Sequence, residues 1–71
     1  MVTLVSTTNP RFKHLEGTEV DIDDFSIGVL IWFGTFHTSR LQNISYIYDE
    51  DIVYLTADTL NSRYVFKMGR E

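Results

Sequence analysis

The chain has 71 residues, no cysteine and a formal net charge of −4 at pH 7. This length fits one β domain spanning residues 1–71, and the absence of cysteine excludes disulfides and thiolate metal sites. Two histidines, His14 and His37, are too few for a structural zinc site, so we predict no metal and no cofactor. The acidic balance disfavours general nucleic-acid binding, which needs clustered Lys and Arg.

The start of the chain lacks the basic region and long apolar run of a signal peptide. The longest apolar stretch, residues 27–36, is half of the roughly 20 residues that span a bilayer. We therefore expect an intracellular protein without a membrane segment. Because a domain this small buries little surface and has no covalent staple, we also expect it to gain stability by forming a homo-oligomer.

Short strands separated by turns are predicted in the first third of the chain. Residues 2–6 form a first strand, and Pro10 then forces Asn9 out of the helical region, which predicts a turn. Residues 11–15 are ambiguous. A turn at Gly17 leads into a strand over residues 19–22, with Val20 and Ile22 directed inward.

Residues 27–34 form a run that is apolar on both faces of a strand, with Gly28 and Gly34 near its ends. Its β-branched and aromatic content favours a buried strand over a helix. We predict a central strand of a barrel or sandwich, with residues 23–26 as the preceding connection. The alternative is that Leu30 and Trp32 meet a partner molecule.

Residues 42–68 predict a three-stranded antiparallel meander, with strands over 43–48, 52–60 and 63–68. Asn61 and Ser62 predict a primed two-residue turn, so that Ala57 lies opposite Phe66 and Thr59 opposite Tyr64. The face that carries Tyr64, Phe66 and Met68 is then the core side. The fold class that follows is all-β, a five- to six-stranded antiparallel small barrel or sandwich that ends in this meander.

Catalytic and metal-binding patterns are weak. His37 and Ser39 could share one side of a strand, but a nucleophilic pair needs a third orienting group and an oxyanion site. Asp21, Asp23 and Asp24 resemble the start of a calcium loop without its glycine and distal Glu. We therefore predict no enzyme and interpret these residues as turn residues.

The aromatic side chains are the best functional lead, because strand alternation cannot bury all of them. Exposed Tyr and Trp are typical interface anchors, although aromatic ladders that stabilise the sheet are an alternative. The acidic hairpin tip could contact a basic surface of a partner protein or, with residues 16–24, imitate DNA. The predicted partner-binding residues are Trp32, Phe36, Tyr46, Tyr48, Arg40, Asp49, Glu50 and Asp51.

Two segments resemble the closing meander of many small phage and mobile-element proteins. A Thr-Ser pair, Thr38 and Ser39, precedes the first strand, and residues 59–64 follow a Thr-x-Asn-Ser-x-Tyr pattern. The resemblance covers about 30 residues of the C-terminal half and contains no catalytic residue. It implies a protein of the host cytoplasm that binds and inhibits a host or defence protein.

Our hypothesis is a small phage-type protein that acts by occlusion, with an aromatic patch that anchors and an acidic rim that orients. One alternative is a nucleic-acid or nucleotide binding small β-barrel, in which Arg40, Arg63 and the tyrosines hold the bases. Another is a structural or assembly component of a virion, which would be found in purified particles.

Overall fold

A computed structural model describes residues 2–22 and 24–69, and its regular structure is nearly all strand. The strands are β1 Val2–Thr7, β2 Glu19–Val20, β3 Trp32–Phe33, β4 Phe36–His37, β5 Asn43–Asp49, β6 Ile52–Asp58 and β7 Arg63–Gly69; a 3₁₀ helix spans Lys13–Leu15. An antiparallel sheet has the order β2-β1-β7-β6-β5, and β3 and β4 form a separate hairpin. The all-β class is confirmed, and the sheet is open rather than closed into a barrel.

The C-terminal meander is confirmed, but its last hairpin has a different register. Ala57 lies opposite Tyr64 and Leu55 opposite Phe66, two positions from the predicted pairs. A shift of two residues keeps every side chain on its predicted face, because the side-chain period of a strand is two. The connection is a four-residue loop over 59–62 rather than a primed turn, since neither Asn61 nor Ser62 has a positive φ.

The tight turn of the meander lies in its other hairpin, between β5 and β6. Asp49 is opposite Ile52, so Glu50 and Asp51 form a two-residue connection. Glu50 has a φ of 51°, the left-handed conformation that primed hairpin turns require.

Residues 27–34 do not form the predicted buried strand. The run is divided by its glycines, which adopt positive φ values of 90° at Gly28 and 66° at Gly34. Gly28 lies in a turn that leaves the Ile27 side chain 61% exposed, and Gly34 begins the two-residue turn of the β3–β4 hairpin. Glycine adopts these conformations without steric cost, so both glycines form turns here, whereas bending within a continuous strand was expected.

The two predicted N-terminal strands are present and complete the sheet, although β2 spans only Glu19–Val20 of the predicted residues 19–22. β1 pairs with both β2 and β7, with Val2 opposite Val20 and Leu4 opposite Phe66. The register shifts between Leu4 and Ser6, which marks a β-bulge. Val20 is buried and Ile22 packs against the core, as the sequence indicated.

One face of the sheet carries the core, and residues from 8–18 and 24–42 cover it. Phe33 of the β3–β4 hairpin stacks on Phe66, with ring centroids 6.2 Å apart. Phe12 meets both Phe33 and Tyr64 edge-on, at 5.3 and 5.6 Å. These aromatic contacts join the covering segment to β7, and the predicted inward positions of Tyr64 and Phe66 are confirmed.

Candidate functional site

The predicted binding residues fall into two separate groups. Trp32 and Phe36 belong to the β3–β4 hairpin, whereas Tyr46 and Tyr48 lie on β5 beside the acidic turn Asp49, Glu50 and Asp51. The chain segment that contains Arg40 connects the two groups. The structure therefore does not bring the predicted aromatic residues together into one patch.

The hairpin divides its own aromatic residues between two faces. Trp32 is opposite His37, with ring centroids 4.5 Å apart, and Phe33 is opposite Phe36. Adjacent residues of a strand point to opposite sides, so Trp32 and Phe36 cannot contact one flat ligand together. Both side chains are about half exposed.

Two cavities flank this hairpin. The first, of about 430 Å³, lies beside Trp32 and is lined by Asp21, Ile22, Asp24 and residues 29–32. The second, of about 340 Å³, lies on the Phe36 side and is lined by Arg11, Phe12, Thr35, Phe36, His37 and Ser39. Each cavity is open, and each contains only one of the predicted aromatic anchors.

His37 and Ser39 share the second cavity. The His37 Nδ1 lies 2.8 Å from the carbonyl oxygen of Thr38, and because a carbonyl only accepts, Nδ1 is the donor in this contact. Asp23 of the calcium-loop interpretation lies outside the described residues. In residues 2–22 and 24–69, no group of three potential metal ligands is present.

The core face of the sheet extends onto β5, where it is only partly covered. The cross-strand row Leu4, Phe66, Leu55 and Tyr46 runs from β1 to β5 on this face. The first three side chains are buried, with Leu55 only 5% exposed, but Tyr46 is 48% exposed. Coverage of the core face is thus only partial on β5, where Ile44 still packs against the core and Tyr46 is half exposed.

The next row along the core face is open on two of its strands. Tyr48 lies opposite Val53, which lies opposite Met68. Tyr48 is 68% exposed and Met68 39% exposed, whereas Val53 between them is buried. Phe25 reaches the edge of this area, with its ring 5.8 Å from that of Tyr46. The exposed core face of β5 is therefore aromatic.

Backbone hydrogen bonds at the end of β6 show which way its polar groups point. The Thr59 N–H donates to the Ser62 carbonyl at 2.8 Å, and the Gln42 N–H donates to the Asp58 carbonyl at 2.7 Å. The Asp58 carbonyl therefore points toward β5. In an antiparallel strand the backbone groups of successive residues alternate between the two neighbours, so Thr56 and Tyr54 also bond to β5.

The same alternation divides the backbone groups of β5. Ser45 and Ile47, opposite Thr56 and Tyr54, bond to β6, and consequently Ile44 and Tyr46 direct their N–H and C=O groups away from the sheet. In the described part of the chain, no hydrogen bond reaches these outward groups of Ile44 and Tyr46. β5, a strand of seven residues, is thus an edge of the sheet that is open at Ile44 and Tyr46.

Charges are distributed unevenly along this edge. Asp49 and Asp51 are exposed in the turn at the end of β5. Arg40 is exposed before its beginning, where the guanidinium donates to the Gly28 carbonyl at 3.4 Å. The strand between these two ends has no charged side chain before Asp49.

The sequence prediction identified the tyrosines but missed the open edge. A signal was present, because residues 43–48 contain neither the lysine nor the proline with which natural proteins commonly protect an edge strand. Strand order could not be read from the sequence, so β5 could not be recognised as an edge.

Comparison with protein-family models, curated proteins and solved structures found no match. Within residues 2–22 and 24–69, the structure has no helix with the length and hydrophobicity required to cross a membrane.

Proposed function

We propose that this protein binds a protein partner at β5, by adding an extended segment of the partner to the open edge. The observation that carries the proposal is that Ile44 and Tyr46 direct unbonded backbone groups outward beside exposed tyrosine rings. In strand addition, backbone hydrogen bonds supply affinity, and pockets for alternate side chains supply specificity.

The side chains of this edge give four of the predicted residues a role. Tyr46 and Tyr48 anchor the partner, because a tyrosine offers a large apolar area with a polar tip at low entropic cost. Asp49 and Asp51 orient it by attracting a basic residue near the end of β5. The partner segment is accordingly extended, apolar at alternate positions and basic at the end that passes the turn.

Binding at β5 would act by occlusion, since the bound segment is no longer available to other molecules. The resemblance to small phage and mobile-element proteins favours a host or defence protein as the partner, and the host cytoplasm as the location. This binding needs no catalytic group, metal or cofactor.

The nucleic-acid alternative receives less support from the geometry. Arg63 donates two hydrogen bonds to Asp58, at 2.7 and 3.2 Å. It lies on the face of the sheet opposite that of Tyr46, because Arg63 is three residues from Phe66 on the same strand. Arg63 therefore cannot form one stacking platform with Tyr46 and Tyr48.

Site-specific photocross-linking in host cells tests the proposal. A photoreactive phenylalanine derivative replaces Tyr46 in one variant and Leu60 in a control. Leu60 is 81% exposed in the loop between β6 and β7, away from the β5 edge. We expect a defined cross-linked protein from position 46 that position 60 does not give.

A second measurement distinguishes binding at the β5 edge from non-specific binding. Tyr48→Lys, introduced into the variant that carries the photoreactive residue at position 46, places a charge on the edge, as natural edge strands do, and should abolish capture without unfolding the protein, because Tyr48 is 68% exposed. The proposal is wrong if both photoreactive positions give the same products, or if position 46 gives none.

A further inference from the structure

We infer that a second copy of the chain occupies the β5 edge, with the two β5 strands antiparallel about a two-fold axis at Tyr46. This inference rests on the proposed function, because it names a partner for the same edge. When no other segment is bound, the strand supplied at the edge is the β5 of another copy.

The backbone groups of β5 alternate between β6 and the open edge, and this alternation restricts how two copies can pair. The residues that point outward are at even positions, so an antiparallel pair must join even positions to even positions. With Tyr46 opposite Tyr46 of the second copy, residues 43–49 of both strands overlap completely. A shift of either strand by two residues leaves residues unpaired at the ends, which makes the Tyr46-centred register the most extensive.

The side chains suit this register. A two-fold axis perpendicular to the sheet keeps the core faces of both copies on one side, so the exposed aromatic area becomes continuous. Tyr46 meets its own counterpart, and Tyr48 lies opposite Ile44 of the second copy. Aromatic pairs and pairs of an aromatic with a β-branched residue are among the favourable cross-strand neighbours.

In the same register, the charges along the edge of one copy complement those along the edge of the second copy. Asp49 lies opposite Asn43 of the second copy, so no two carboxylates face each other across the strands. The turn that carries Asp51 reaches the segment before β5 of the other copy, where Arg40 is exposed. Two such contacts form, one at each end of the paired strands, and opposite charges there favour this orientation.

Size adds a reason for self-association. A domain of this length buries a smaller share of its surface than a larger domain does, and the chain has no disulfide. Pairing two copies covers the aromatic end of the core face and joins two five-stranded sheets into one continuous sheet.

A charge-swap mixture tests the register by sedimentation equilibrium and native mass spectrometry. Arg40→Glu alone and Asp51→Arg alone each bring like charges together and should weaken their own dimers. When the two variants are mixed, both contacts become attractive, so the heterodimer should exceed the statistical half of all dimers. A statistical mixture would overturn the proposed orientation.

Two substitutions at Tyr46 test the backbone pairing. Tyr46→Ser removes the ring and keeps the outward N–H, whereas Tyr46→Pro removes both and leaves the bonds to β6 intact. Because two symmetry-related hydrogen bonds are lost, Tyr46→Pro should raise the dimer Kd roughly tenfold above that of Tyr46→Ser. Equal dissociation constants for wild type and Tyr46→Pro would place the dimer contact elsewhere and overturn the inference.

The failure of this inference is distinguishable from failure of the proposed function. A wild-type chain that stays monomeric at millimolar concentration excludes the second copy. If photocross-linking at position 46 still captures a host protein, the edge binds partners of another kind. If position 46 also captures nothing, both proposals fail.

Discussion

The side-chain amide of Asn9 donates a hydrogen bond of 2.9 Å to the phenolic oxygen of Tyr64, which lies on β7. The Tyr64 ring is buried, so this bond fixes the turn after β1 to the core of the sheet. We expect Tyr64→Phe to fold and to lower the free energy of unfolding by about 0.5–1.5 kcal/mol, the net value of one hydrogen bond. Urea unfolding measures this loss.

Asn9→Ala removes the same hydrogen bond as Tyr64→Phe, from the donor side. The Asn9 side chain also accepts a hydrogen bond of 3.0 Å from the Arg11 N–H, so its removal should cost more than the loss of the phenol alone. The double variant should show coupling, because both single changes remove the same bond. Strict additivity of the two changes would contradict the described contact.

The buried hydroxyl of Thr38 connects two parts of the segment that covers the sheet, near Ile31 and Ser39. Its Oγ1 accepts from the Ile31 N–H at 3.1 Å and donates to the Ser39 carbonyl at 2.8 Å. Thr38→Val keeps the shape and leaves a buried N–H without this acceptor, so we expect a loss of about 1–3 kcal/mol. Thr38→Ser retains the hydroxyl and serves as the control; a loss as large as that of the valine variant would contradict this role.

Glu16 provides a pH-dependent contribution to stability. Its carboxylate accepts hydrogen bonds from the Thr7 N–H at 3.0 Å and from Lys13 at 3.3 Å. These contacts, the backbone bond first, lower the pKa of Glu16 below its ordinary value of 4.5. A lowered pKa in the folded state stabilises the protein above that value, and the contribution is lost as the pH falls through the folded pKa.

The difference in unfolding free energy between wild type and Glu16→Gln should therefore be largest near neutral pH and shrink in acid. Urea unfolding at several pH values measures it. Lys13→Met is a matched control, because it removes the contributions of Lys13 and keeps the Thr7 hydrogen bond, the largest single cause, so part of the pH dependence should remain. A difference that stays constant with pH would refute the assignment.

Replacing a buried and an exposed leucine by alanine, at Leu41 and at Leu60, tests which of them belongs to the core. Leu41 has no exposed surface, whereas Leu60 is 81% exposed. We expect Leu41→Ala to cost about 2–5 kcal/mol, enough to unfold a domain of marginal stability, and Leu60→Ala to change stability by about 0.5 kcal/mol or less. Thermal unfolding followed by circular dichroism separates the outcomes, and equal effects would contradict the four-residue loop.

The meander shows which parts of the fold could be predicted from the sequence. Alternation along residues 52–58 and 63–69 assigned the buried faces correctly, because a strand repeats every two residues whatever its neighbours. The exact register depended on the loop, and Asn61 and Ser62 suggested a tighter turn than the chain forms. The resulting error of two positions preserved the faces and changed only the pairs.

The candidate site depended on tertiary structure in a different way. The sequence supplied Tyr46, Tyr48 and the acidic turn as residues suited to binding. Whether their strand is central or at an edge is decided by pairs between distant segments, which no local pattern encodes. Trp32 and Phe36 were separated from the tyrosines for the same reason.

The sequence by itself therefore determined the all-β class, the meander and the inward side chains, because local propensity and two-residue alternation are properties of the chain alone. Tertiary structure decided that Gly28 and Gly34 form turns in the apolar run and that the covering residues leave Tyr46 on β5 half exposed. Burial depends on which segments pack against each other in the tertiary structure. The exposure of Tyr46 on an open edge is a consequence of that packing.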